Sequence, residues 1–168
     1  MQLLESGEEV MIRRSAWCTE VDLTNPVRLR QFPATIDIEN PLTAFSGCDY
    51  ANVNFQSKDG TRSNWSCRDG GNMRADNIKP IPEGTRVLRV SYRANWTNNT
   101  DPYVTGIQAL DQDGAQLQIV GYPQATSFDV RLKPGERLVG ISSRYTDDNS
   151  TDANNAFHND LQFLIGFK

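Results

Sequence analysis

The chain has 168 residues, of which 38% are hydrophobic and 9% aromatic, which suits one globular domain and is too apolar for a disordered chain. Its 17 basic residues are outnumbered by 21 acidic ones, and the net charge of −4 offers no basic field for nucleic acid. Every apolar run is far shorter than the about 18 residues that a transmembrane helix needs, so we expect no membrane span.

Short runs in which apolar and polar side chains alternate dominate the chain, and no window has the spacing of an amphipathic helix. In the last run, Leu161, Phe163, Ile165 and Phe167 share one face, as side chains two residues apart do in a strand. The pattern predicts an all-β protein of about ten strands. In chain order the predicted strands are Val10–Arg14, Val27–Phe32, Thr35–Glu39, Tyr50–Phe55, Arg86–Arg93, Tyr103–Leu110, Ala115–Gly121, Thr126–Leu132, Arg137–Ser143 and Leu161–Phe167.

The first half of the chain is less regular than the second. Residues 1–80 hold all three cysteines and a less even strand pattern, and we predict that 1–168 is nevertheless a single β domain. The odd cysteine count without a CxxC pair leaves two alternatives, three reduced thiols or one disulfide with a free thiol. No signal peptide is visible at the N-terminus, which favours the cytoplasm over secretion.

Two polar segments are predicted to form a turn and a loop. Asp113-Gly114 lies between two predicted strands and has the chemistry of a tight hairpin turn. The segment 146–155 is the most polar of the chain and is expected to be an exposed loop. Its Asp147, Asp148 and Asp152 lack the ligand spacing of a calcium loop, so we predict no metal site.

The stretch from Tyr103 to Lys168 contains four motifs in a fixed order. They are a Gly-Ile-Gln strand leading to an Asp-Gly turn, Gly121 after the next strand, a run from Phe128 to Ile141 with a central Gly-Glu, and the alternating strand Leu161–Phe167. In this order they resemble jacalin-like lectin domains. The resemblance implies a β-prism, in which three Greek-key sheets of four strands surround one core. A two-sheet β-sandwich is the alternative architecture.

Lectins of this family use a G-x-x-x-D loop before a final strand, and residues 156–160 resemble it, with Ala156 in place of the glycine. Asp160 stands at the aspartate position, where its carboxylate would accept hydrogen bonds from sugar hydroxyls. Phe157, His158 and Asn159 precede it, and the aromatic rings would cover the apolar face of a sugar. We add Trp96, which lies among polar residues, to the predicted sugar-binding residues. An alternative register of the same segment would remove the sugar loop altogether.

The function that these residues favour is a carbohydrate-binding module without catalytic activity and without a cofactor. The sequence has no P-loop and no G-x-S-x-G motif, and its single histidine lacks a defined catalytic partner. The alternative function is a structural or interaction β-domain within a larger assembly. Arginines in and beside strands, Arg13, Arg28 and Arg89 among them, fit either a protein interface, including one between identical chains, or ordinary cross-strand ion pairs.

Overall fold

The structure is a computed structural model. It describes residues 2–3, 9–14, 27–33, 35–47, 53–62, 78–94, 102–124, 126–146 and 157–167. Within these ranges the regular secondary structure is entirely β, which confirms the predicted fold class.

Twelve strands lie in the described ranges, and every pairing between them is antiparallel. In chain order they are β1 (Gln2–Leu3), β2 (Glu9–Arg14), β3 (Val27–Phe32), β4 (Leu42–Gly47), β5 (Val53–Ser57), β6 (Lys79–Pro80), β7 (Val87–Ala94), β8 (Pro102–Leu110), β9 (Gln116–Gly121), β10 (Ser127–Arg131), β11 (Arg137–Thr146) and β12 (Phe157–Phe167).

The strands form three sheets around one core. The sheets have the orders β1-β2-β12-β11-β3, β10-β7-β8-β9 and β5-β4-β6. We call them the five-, four- and three-stranded sheets. Three sheets, rather than the two of a sandwich, make the β-prism the correct architecture of the two that the sequence left open.

The four-stranded sheet is a Greek key. Strands β7, β8 and β9 follow one another as hairpins, and β10 returns to lie beside β7. The hairpin turn between β8 and β9 forms as predicted, because Asp111 Oδ1 accepts hydrogen bonds of 2.9 Å from the backbone N–H groups of Asp113 and Ala115. Gly114 in that turn has a φ of 85°, a conformation that favours glycine.

The hairpin β11–β12 repeats the register of the hairpin β7–β8. In β7–β8 the pairing passes from Ser91↔Gly106 to Tyr92↔Val104 through a bulge. In β11–β12 it passes from Arg144↔Asp160 to Tyr145↔His158 in the same way. The sequence showed no convincing internal repeat, because the two hairpins share backbone geometry but few residue identities.

The core draws on all three sheets and on both halves of the chain. The aromatic rings of Phe55 in β5 and Phe163 in β12 meet edge to face, with centroids 5.9 Å apart. Leu161 and Ile165 of β12 are buried beside Phe163, as the alternation predicts. Phe167 does not follow the prediction: it remains 47% exposed, at the end of its strand.

The assignment of 1–168 to a single domain stays a prediction.

The predicted strand Thr35–Glu39 is wrong. Residues 35–41 form bends and turns, and this segment packs on the outer face of the five-stranded sheet. Ile38 is fully buried there against Val139 and Leu164, and Arg137 donates a hydrogen bond of 3.1 Å to the Ile38 carbonyl. Ile36 and Ile38 bury their side chains by packing against the face of a sheet, not by being part of a strand in it.

The sequence pattern did not predict strand β4, because its bulge between Leu42 and Ala44 interrupts the alternation.

Ion pairs and hydrogen bonds from basic side chains connect neighbouring sheets. Arg13 in β2 donates two hydrogen bonds to the Glu136 carboxylate, at 2.9 and 2.7 Å, and one to the Arg131 carbonyl of β10. The bond to the Arg131 carbonyl joins the five-stranded sheet to the four-stranded sheet, and those to Glu136 reach the turn between β10 and β11. Because Arg13 hydrogen-bonds the Glu136 carboxylate, it lowers the pKa of that group, and the backbone N–H of Lys133 lowers the pKa further.

We expect Gly166→Ala to destabilise the protein by about 1–3 kcal/mol, because the added Cβ overpacks a filled interior. That Cβ would lie 2.6 Å from Cδ1 of Ile38 and 2.9 Å from Cγ1 of Val139. Ile38→Val removes the nearer of these atoms. In urea unfolding, the double variant should lose less stability than the sum of the two single variants. Additive losses would show that Ile38 does not press on Gly166.

We expect Glu136→Gln to lower the free energy of unfolding by about 1 kcal/mol at pH 7, since its partner Arg13 is 41% exposed and the pair is partly screened. The lowered pKa of Glu136 means that this contribution is present above the pKa of an unfolded glutamate. It is lost as the pH falls through the folded-state pKa. Unfolding curves of wild type and variant should therefore converge in acid. Glu83→Gln, at an exposed turn residue, is the control and should show no such trend.

Candidate functional site

Four of the predicted sugar-binding residues open the last strand of the fold. Phe157, His158, Asn159 and Asp160 form the first residues of β12, so their backbone belongs to a strand rather than to the expected loop. The loop expectation is wrong for these residues because β11 runs on to Thr146 and offers pairing partners to all but Asn159. Their role in binding sugar stays a prediction.

Asn159 occupies a β-bulge. Asp160 pairs with Arg144 and His158 pairs with Tyr145, two neighbours on β11, so Asn159 is the extra residue between them. Bulges bend a strand and redirect its side chains, and they are frequent next to binding sites. The backbone at this position is therefore locally irregular although it is part of a sheet.

Three strand ends meet at this place. Tyr145 of β11 pairs with His158 of β12 on one side and with Arg28 of β3 on the other. Thr146 likewise lies between Phe157 and Val27. We call the ends of these three strands, 27–28, 145–146 and 157–160, the β12 site. Its backbone brings together the predicted residues and two partners that the sequence did not indicate for this role, Tyr145 and Thr146.

Sequence reasoning found Arg28 only as one of several strand arginines. The signal that would have placed it here is register, because β3 pairs with the same stretch of β11 that pairs with the start of β12. Such long-range pairing is decided by the closure of the whole sheet, and no local pattern carries it.

Trp96 lies outside the described residues, as do Ala156 and the acidic residues Asp147, Asp148 and Asp152. The connection that contains Trp96 joins β7 to β8 in the four-stranded sheet. By the repeated register, this connection is the counterpart of the one between β11 and β12. The predicted residues are thus distributed over two equivalent hairpins rather than one.

Two of the predicted strand arginines, Arg13 and Arg89, form ion pairs. Arg89 and Asp129 are register partners in the four-stranded sheet, and Arg89 donates to the carboxylate at 2.8 and 3.1 Å. Because Arg89 hydrogen-bonds Asp129, it lowers the pKa of that carboxyl. Arg13 is paired with Glu136. For Arg13 and Arg89 the structure therefore supports ion pairing rather than a free interface.

The described ranges show no cluster of three or more histidine, cysteine, aspartate or glutamate side chains able to hold a metal ion. The same ranges include no helix of the length and hydropathy that crossing a membrane requires.

Comparison with known proteins shows similarity in structure but not in sequence. No protein-family model matches the chain, and a search of curated proteins found no match. Among solved structures, the agglutinin of Calystegia sepium is similar over 94% of this chain and 98% of its own, at 13% identity and a TM-score of 0.53. The Calsepa lectin in complex with a biantennary N-glycan is similar over the same shares, at 14% identity and a TM-score of 0.53.

The V. cholerae biofilm matrix protein Bap1 is also similar, at 18% identity and a TM-score of 0.57. The match covers 98% of this chain, which spans about a quarter of Bap1 (26%). At these identities the comparisons define the fold: this chain is a β-prism of the kind found in lectins.

Proposed function

We propose that this chain is a carbohydrate-binding module that performs no catalysis, with its glycan held at the β12 site. The observation that supports the proposal is the match of almost the whole chain to almost the whole of a lectin whose structure includes an N-glycan. The β12 site gathers the sequence-predicted Phe157, His158, Asn159 and Asp160 where three strands end. Trp96, on the equivalent hairpin, is proposed to contribute a further aromatic contact.

The residue types at the β12 site suit sugar recognition. An aspartate accepts charge-assisted hydrogen bonds from hydroxyl groups, and an asparagine both donates and accepts. Phenylalanine and histidine rings offer flat faces to the C–H groups of a sugar. By backbone register the site also includes Tyr145 and Arg28, residue types that carry a hydroxyl and a planar donor. Sites of this kind bind single sugars weakly, and several linked copies would raise the avidity.

We expect the wild-type chain to bind one or more glycans on an array, and Asp160→Asn to weaken that binding at least about tenfold, because hydrogen bonds to a charged group contribute about 1.5–3 kcal/mol. Asp113→Asn is the matched control, since Asp113 is exposed in the turn between β8 and β9. A wild-type chain that binds no glycan would contradict the function. Equal binding by the Asp160 variant would contradict the site.

His158 provides a second and independent readout, because it is the only histidine of the chain. Titration of the protein with the glycan selected by the array should shift the imidazole resonances of His158. The same titration of His158→Gln measures the affinity that remains without the ring. Resonances that stay unmoved while the glycan binds would place the ligand elsewhere on the molecule.

The alternative proposal is a building block of a larger assembly, and one observation favours it. Bap1 is named a biofilm matrix protein, and this chain matches only about a quarter of it (26%), so a domain of this fold occurs there within a longer chain. Chemical crosslinking in native extract followed by sizing distinguishes the two proposals. A stable complex that free sugars fail to dissociate favours the assembly, whereas release by sugars favours the lectin.

A further inference from the structure

At the β9 edge of the four-stranded sheet, both backbone groups of one central residue, Ile119, are hydrogen-bonded to side chains. Strand β9 is the last strand of that sheet, and within the described ranges it pairs with β8 alone. Ile119, in its centre, donates its backbone N–H to Oε1 of Gln118 at 3.2 Å. The Ile119 carbonyl accepts a hydrogen bond of 3.1 Å from Nζ of Lys79 in β6, a strand of the three-stranded sheet.

These two bonds replace those that another strand would make. In an antiparallel sheet, alternate residues of an edge strand direct both backbone groups away from the sheet, where a further strand can pair with them. Ile119 is such a residue, since its N–H bonds to a side chain of its own strand and its carbonyl to a side chain of β6, not to β8. With both outward groups of Ile119 satisfied, the centre of this edge offers nothing to an added strand.

The side chains around Ile119 explain why such protection matters. Leu117 and Tyr122 flank it and are 40% and 50% exposed, respectively. An unprotected edge beside exposed apolar side chains is the combination that leads strands of separate molecules to pair. Lys79 belongs to β6, an edge strand of the three-stranded sheet, so the two sheets meet at a corner here. On the β6 side of this corner, Pro80 has no N–H to donate. Both edges that meet at this corner thus carry a residue that opposes strand addition.

We infer that Lys79 and Gln118 close the β9 edge against pairing with the β9 edge of a second copy of this chain. The lysine acts across the corner between two sheets and the glutamine acts within β9. The inference is independent of any glycan, and it limits where a partner attaches: an assembly of this protein would use a surface other than the β9 edge.

The test is the double variant Lys79→Met and Gln118→Met, which keeps the apolar bulk of both side chains but removes the donor and the acceptor. In sedimentation velocity its weight-average mass should rise with concentration toward at least twice that of the wild type. The amide of Ile119 should exchange faster with solvent at low concentration, where the edge is free, and slower in the associated form.

Lys58→Met is the matched control, because it removes an exposed lysine from the turn after β5 and should sediment as the wild type does. Lys79→Arg keeps a donor and should also resemble the wild type. The inference is overturned if the double variant sediments like the wild type at every concentration, or if Lys58→Met associates equally. All three variants change exposed or partly exposed residues, and circular dichroism verifies that each remains folded.

Discussion

The shared core is the interaction on which the rest of this structure depends. No sheet is covered by a helix in the described ranges, so the inner face of each sheet can be buried only against the other two. The edge-to-face contact of Phe55 and Phe163 shows this dependence in one pair, since it joins the three-stranded sheet to the five-stranded sheet. Burial of a phenylalanine is worth about 1.5–3 kcal/mol, and none of it is available to a sheet that stands alone. The three sheets therefore have to form together.

A prism built this way has corners where sheets meet, and basic side chains bridge two of them. Arg13 closes one corner through Glu136 and the Arg131 carbonyl, and Lys79 closes another through the Ile119 carbonyl. In both cases a cationic side chain from one sheet satisfies the backbone of an edge strand in the next. Long basic side chains suit this role because they reach across the gap between sheets that diverge, while their charged ends stay partly in water. These bonds join the edges of neighbouring sheets outside the shared core.

The β12 site follows from that arrangement. Hairpins β7–β8 and β11–β12 have the same register and the same bulge, so the fold provides equivalent strand ends more than once. What distinguishes the β12 site is the residues that the sequence places there. Asp160, His158 and Phe157 stand where the sequence resemblance predicted a sugar-binding loop, although their backbone is strand. The carbohydrate binding proposed for this chain thus depends on the side chains at this position, because the fold by itself does not determine a ligand.

Local pattern in the sequence was sufficient to predict that the protein is all-β and to predict nine of its strands, such as Val27–Phe32. It also predicted that Leu161, Phe163 and Ile165 form a buried face. These are consequences of the two-residue period of a strand, which each segment carries by itself. Tertiary structure alone decided that the isoleucines of residues 35–41 cover a sheet rather than enter it, because apolar spacing is the same in both cases. It also decided that Tyr145 lies between His158 on one side and Arg28 on the other, because register between distant strands is set only when the whole sheet closes around the core.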